Sequence, residues 1–321
     1  GDPVAWKHVA PSLKAIAAKT EDGPCVTYLG RRSAGHFVKM VHNGIEYAMM
    51  QMLAEFYDLM KAGLGMSPEE AQKTFAKWNE GRCGSYLVEI SALVLKYRDP
   101  DTGKLLVELI QDEAAQKGTG KWTSQSALDL GVPVPSITAA VDARIISGYK
   151  KDRVAIARVL PAKSRRLRGA GARQLEGACY AGFLAAYAQG LHLLGKASAE
   201  YEYGLNLAEV ARIWKGGCIV RSRILDVLRR AYRAEPRLAH PFLAPVFRKA
   251  LAPVTGSLRT VVSAATAASI PVPVLGATLS YLDGFGRARL PANLIQAQRD
   301  HFGAHTYERI DRPGVFHTKW D

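Results

Sequence analysis

Apolar residues recur at helical spacing through nearly the whole chain. The clearest run, Gly35 to Met60, reads as one long helix. Ser67-Pro68-Glu69-Glu70 then gives a strong start signal, with Ser at the N-cap, Pro at the first helical position and acids in the first turn. That helix carries Trp78 and stops near Gly81 and Gly84. Another runs from about Ser85 to Tyr97, and Asp99-Pro-Asp-Thr-Gly103 is a turn. The pattern predicts further helices at about 104–112, 122–131, 136–149, 152–159, 173–195, 207–215, 219–232, 237–251, 257–269, 275–283 and 290–302. No segment shows sustained period-two alternation, so no sheet is expected and the fold class reads as all-α.

The sequence also echoes itself. Ser67 to Trp78, followed by Gly81 and Cys83, resembles Asn206 to Trp214, followed by Gly216 and Cys218. Upstream, the long helix before Met60 is mirrored by an apolar helix from Leu175 to Leu194. This predicts a duplicated multi-helix domain, with copies at about 33–150 and 173–303 and a tail at 304–321.

The two copies differ on one face. In the first, Lys39, His42, Asn43, Glu46 and Tyr47 fall at spacings that stack side chains on one side of a helix. A purely structural face would be apolar there. The second copy has Tyr180, Phe183, Leu184 and Tyr187 in the corresponding region, which read as plain core. The polar face therefore reads either as an exposed amphipathic surface or as a catalytic wall, with Lys39 as general base and Glu46 as acid. Desolvation on a half-buried face would suit Lys39 to that task.

Composition narrows the classes. The 321 residues are 48% hydrophobic, ample for a large core. Val261 to Tyr281 is the most apolar stretch, but Pro271 and Pro273 and its small polar residues argue for a buried element rather than a membrane span. Cys25, Cys83, Cys179 and Cys218 are scattered, as expected of buried thiols in a reducing, cytoplasmic setting, and no metal motif is present. The net charge of +14 is mostly dispersed. Its one dense cluster, Lys163 to Arg168, reads as a solvated loop, with polyanion binding as the alternative.

Three other segments could carry chemistry. Gln116-Lys-Gly-Thr-Gly-Lys-Trp-Thr123 could form an anion nest from its glycine N–H groups, Lys117 and Thr119, or be an ordinary loop opening a helix capped by Thr123. It is not a P-loop. Arg144 offers a fork suited to phosphate. Arg299 and His305 flank the last turn of a helix opened by Pro291. No Gly-x-Gly-x-x-Gly follows a strand, so no dinucleotide fold can be placed in the chain.

Taken together, His36 to Tyr47, Gln116 to Thr123, Ala208 to Ser222, Pro291 to Asp300, Phe302 to Tyr307 and Phe316 to Trp320 make the chain resemble the C-terminal domain of the decarboxylating 6-phosphogluconate dehydrogenases, from its first residues to Trp320. The resemblance implies oxidation of 6-phosphogluconate with NADP and its decarboxylation to ribulose 5-phosphate. It implies Lys39 as the base at the 3-hydroxyl and Glu46 as the acid at C1. His42 and Asn43 would hold the carboxylate end and the C3 hydroxyl, and Tyr47, Lys117, Thr119 and Arg144 would gather the phosphate. It further implies a homodimer whose C-terminal segment crosses over, so that Arg299 and His305 reach the partner's site. No nucleic acid or membrane partner is implied. In that family a nucleotide-binding domain precedes the segment, and Gly1-Asp2-Pro3 looks like the junction after it. The isolated chain is therefore expected to bind NADP weakly and not to turn over. Ala48 and Lys319 depart from the family's usual Gly and Asn, away from the proposed chemistry. A 3-hydroxyisobutyrate-type dehydrogenase domain is the sister alternative, with a single helical copy; a non-catalytic helical dimer or polyanion-binding module is the other.

Overall fold

Local signals open many of the helices in the computed structural model, which describes residues 1–320. Helix α1 (Pro3–Ile16) starts at Asp2, whose carboxylate accepts from the N–H groups of Val4 at 2.6 Å and Ala5 at 3.0 Å. A short antiparallel ribbon follows, β1 (Lys19–Thr20) with β2 (Gly23–Pro24). Helix α2 (Ala34–Asp58) then runs directly into a π-helical stretch, Leu59–Leu64, which ends at Gly65 in the left-handed region with φ 70°. Helix α3 (Pro68–Glu80) has the expected capping box. Ser67 Oγ accepts from Glu70 N at 3.2 Å, and the Glu70 carboxylate accepts from Ser67 N at 2.7 Å. Ser85 caps α4 (Tyr86–Val94).

The middle of the chain supplies α5 (Leu106–Leu109), α6 (Thr119–Asp129), α7 (Pro135–Gly148) and α8 (Lys150–Val159). The longest helix, α9 (Ala172–Glu200), is buried along most of its length. It packs against α2 on one side and α12 (Pro245–Ala267) on another. Between them come α10 (Leu207–Ile213) and α11 (Ile224–Ala234), packed on each other as α3 is on α4. Helix α13 (Pro273–Phe285) follows α12.

The segments just after the two Gly-x-Cys breaks pair with each other. Ser85 and Ser222 form an isolated antiparallel bridge, with Tyr86 N donating to Arg221 O and Arg223 N to Gly84 O, each at 3.0 Å. Tyr180, Phe183, Leu184 and Tyr187 of α9 are all buried.

The chain divides into two units, Gly1–Leu279 and Ser280–Asp321. The second contains α14 (Ala292–Gly303) and a hairpin of β3 (Tyr307–Glu308) and β4 (Val315–Phe316). Its organising group is Asp300, fully buried, whose carboxylate accepts from Thr306 N, Thr318 N, His317 Nδ1 and Trp320 Nε1 at 2.9–3.0 Å. Burial alone would raise its pKa, but the bonds from His317, Thr318 and Trp320 hold the carboxyl down at about 2.

The all-helical reading holds, with local corrections. Helix α1 lies outside the expected set. The stretch expected at 104–112 shrinks to four residues, and 219–223 forms the bridged turn just described instead of helix. In place of the helices expected at 237–251 and 257–269 there is one, α12, which starts only at Pro245, after a 3-10 turn at Pro241–Leu243, and runs through Pro253. Its packing along α9 outweighs the backbone bond that proline removes.

Candidate active site

Three helices bring the polar side chains of the first unit together. On α2, the spacing puts Lys39, His42, Asn43, Glu46 and Tyr47 on one face. His42 and Tyr47 are buried, Asn43 and Glu46 half-buried, and Lys39 exposed at the edge. The desolvation expected for Lys39 is therefore not supplied by its neighbours in this chain. Helix α6 crosses this face at close range. A Cβ on Gly44 would lie 2.6 Å from Thr123 Cγ2, and one on Gly120 would lie 2.4 Å from Tyr47 Cδ2. Only glycine permits that approach at both positions.

The approach delivers Thr119 to Asn43, whose Nδ2 donates to Thr119 Oγ1 at 3.2 Å. Asn43 Oδ1 consequently faces His42, with Nδ1 at 3.0 Å. Lys39 Nζ lies 3.3 Å from the same nitrogen. The other ring nitrogen, Nε2, is buried with no hydrogen-bond partner, and the ring stands edge-on to Trp214 at 5.6 Å between centroids. Burial first, then the Lys39 charge, lower the His42 pKa to about 4 against the pull of Asn43, so His42 is neutral at pH 7. Helix α7 contributes Arg144. Its guanidinium lies 3.6 Å from the centroid of the Tyr47 ring, and Nη2 reaches Met50 Sδ at 3.5 Å. Tyr47 is thus held between Gly120 and Arg144.

Glu46 completes the face. Burial raises its pKa, opposed by the charges of Lys39 and Arg144. A carboxyl that keeps its proton more readily than usual, within electrostatic reach of an amine and a guanidinium, is suited to act as an acid.

This arrangement can be set beside known proteins. The family model described as 6-phosphogluconate dehydrogenase, C-terminal domain, matches residues 35–320. The chain belongs to that family. The decarboxylating 6-phosphogluconate dehydrogenase of Shigella flexneri is 50% identical over 324 residues, spanning all of this chain and 69% of the relative. The NADP(+)-dependent decarboxylating enzyme of Bacillus subtilis is 47% identical, with the same coverage. The solved 6-phosphogluconate dehydrogenase of Plasmodium falciparum, studied in apo form and in complex with NADP+ and with 6-phosphogluconate, superposes with a TM-score of 0.96 at 42% identity. It covers all of this chain, which spans 70% of that structure. These matches favour the family reading over the sister-dehydrogenase alternative.

Within the 6-phosphogluconate dehydrogenase domain, the expected residues are gathered unevenly. Lys39, His42, Asn43 and Thr119 form one connected set, Tyr47 and Arg144 a second, and Glu46 lies in the field of both. Lys117 is exposed just before Gly118, the left-handed residue that precedes α6. Arg299 and His305 belong to the second unit, where Arg299 donates to Gln296 Oε1 at 3.0 Å and His305 is exposed. Thr123 is not a cap: α6 already starts at Thr119, and Thr123 sits buried in its second turn. Trp214, legible in the sequence only as a repeat landmark, is the wall behind His42. Its place there had no local signal.

Proposed function

We propose that this chain binds 6-phosphogluconate across α2, α6 and α7 and supplies the proton-transfer groups for its oxidative decarboxylation to ribulose 5-phosphate and CO2. The observation that carries this reading is the convergence, in one unit, of an amine connected to His42, Asn43 and Thr119, a carboxyl whose pKa is raised by burial, and a ring-stacked guanidinium. Lys39 takes the proton of the 3-hydroxyl as C3 gives up its hydride, which NADP+ would accept when bound. The resulting 3-keto acid loses CO2, its electrons passing into the ketone as an enediol. Glu46 then protonates C1. His42 and Asn43 hold the carboxylate end and the C3 oxygen, while Arg144, with Tyr47, Thr119 and Lys117, holds the phosphate.

The NADP+ of the relatives finds no matching element among the described residues. Both two-stranded ribbons are antiparallel, and neither leads through a glycine-rich turn into a helix as dinucleotide sites require. The proposed roles therefore stop at substrate and proton handling. Arg299 and His305 are proposed to complete the site of a second copy in a homodimer. A cytoplasmic setting accords with four unpaired thiols, and no helix among the described residues is long and apolar enough to cross a membrane.

Calorimetric titration with 6-phosphogluconate tests the reading. Arg144→Ala is expected to weaken binding by about ten- to a hundredfold, the worth of a charge-assisted bond to a phosphate. Equal affinity in the variant, or no binding by the unmodified chain, would overturn it.

A further inference from the structure

We infer that Thr123 is a positioning residue for substrate binding: its buried hydroxyl fixes α6 against α2 and so places Thr119 at Asn43. The inference rests on the 6-phosphogluconate reading above. Thr123 is fully buried, and its Oγ1 lies 2.9 Å from two backbone carbonyls, Met40 O on α2 and Thr119 O on α6. A hydroxyl has one proton, so Thr123 satisfies one carbonyl at a time while facing both. Met40 follows Lys39 directly, and Thr119 is the partner of Asn43. The hydroxyl thus sits between the backbone that carries the proposed base and the backbone that carries the proposed phosphate ligand.

The Thr123 methyl group packs against α2 as well. It fills the space over Gly44 that a Cβ would occupy, so the helices touch backbone to side chain with no slack. The next residue continues the series, since Ser124 Oγ accepts from Thr138 Oγ1 of α7 at 3.0 Å. Consecutive residues of α6 therefore register it against the helix of Lys39 and the helix of Arg144. Nothing in this arrangement needs Thr123 to touch the substrate. Its effect passes through the 3.2 Å contact of Asn43 with Thr119.

Two variants separate the hydroxyl from the packing. Thr123→Val keeps the shape and loses the bond; Thr123→Ser keeps the bond and loses a methyl. Loosened placement is expected to weaken 6-phosphogluconate binding by about tenfold or more in Thr123→Val, with near-normal affinity in Thr123→Ser. Calorimetry on the purified chain, with thermal melts of each variant, reads this out. A role confined to stability would lower the melting temperature of Thr123→Val and leave the affinity of the folded fraction unchanged, which would overturn the proposal. A tenfold loss of affinity in a folded Thr123→Ser would overturn it too, and that measurement stands even if Thr123→Val fails to fold. Arg144→Ala in the same series keeps the two readings apart. If it weakens binding while Thr123→Val does not, the binding site stands and the positioning role falls.

Discussion

Replacing Lys39 by methionine, in a protein carrying the full length of its relatives, is expected to lower kcat with 6-phosphogluconate by about 10²- to 10⁴-fold, the range a positioned acid or base contributes. Methionine keeps the length of the side chain and removes the amine. Lys39 sits at the edge of the α2 face and approaches His42 Nδ1 at 3.3 Å. Burial and the neighbouring Lys39 charge lower the His42 pKa to about 4, so His42 adds no second positive charge beside the amine at neutral pH. Glu46→Gln should lower kcat within the same range, because the amide has no proton to give to C1. In both variants, steady-state kinetics should show KM changing far less than kcat. A Lys39→Met enzyme within a few-fold of normal turnover would remove Lys39 from the chemistry.

The second large effect concerns stability. Glu55 lies on the buried side of α2, 3% exposed, and its carboxyl accepts from Val274 N at 2.9 Å and Leu275 N at 3.0 Å, the first turn of α13. Replacing it by alanine strips two buried N–H groups of their acceptor and leaves a void, at a cost of about 3–5 kcal/mol. Burial raises its pKa to about 7, outweighing the two backbone bonds and the one from Gln51. The folded protein therefore keeps a proton on Glu55 between pH 4.5 and 7 that the unfolded chain releases. That contribution is fully present below pH 4.5 and is lost as pH rises to about 7, by up to roughly 3 kcal/mol. His42 acts in the opposite sense, its contribution being lost as pH falls from 6.5 towards 4. Comparison with Glu55→Gln isolates the first effect. In urea titrations the variant should be less stable than the parent at pH 5, and the gap should narrow by pH 8. A gap independent of pH would refute the assignment.

What could be read from the sequence followed from its periodicity. Lys39 to Tyr47 lie within three turns of one helix, so their common face is fixed by 3.6-residue geometry before any tertiary contact forms. The Ser67–Glu70 capping box is equally local. The rest depends on long-range packing. Asn43 and Thr119 are 76 residues apart, and nothing near either announces the other. Gly44 and Gly120 look like weak points in helices until their neighbours, Thr123 and Tyr47, are seen. Pro253 reads as a break because the sequence does not show the face of α9 that keeps α12 continuous. Glu55 reads as one more charge on an amphipathic helix, although it caps an element 219 residues away. The exposure of Lys39 lies beyond periodicity for the same reason. Burial of a single position depends on what packs over it, and periodicity gives only the face.

The most direct test of the central claim is a crystal structure of the chain with 6-phosphogluconate bound. The phosphate is expected at the Arg144 guanidinium, beside Tyr47 and Thr119, and the C1–C3 end of the sugar acid along Lys39, Asn43 and Glu46. Phosphate seated elsewhere, on the Lys163–Arg168 cluster for instance, with the α2 face left empty, would contradict it.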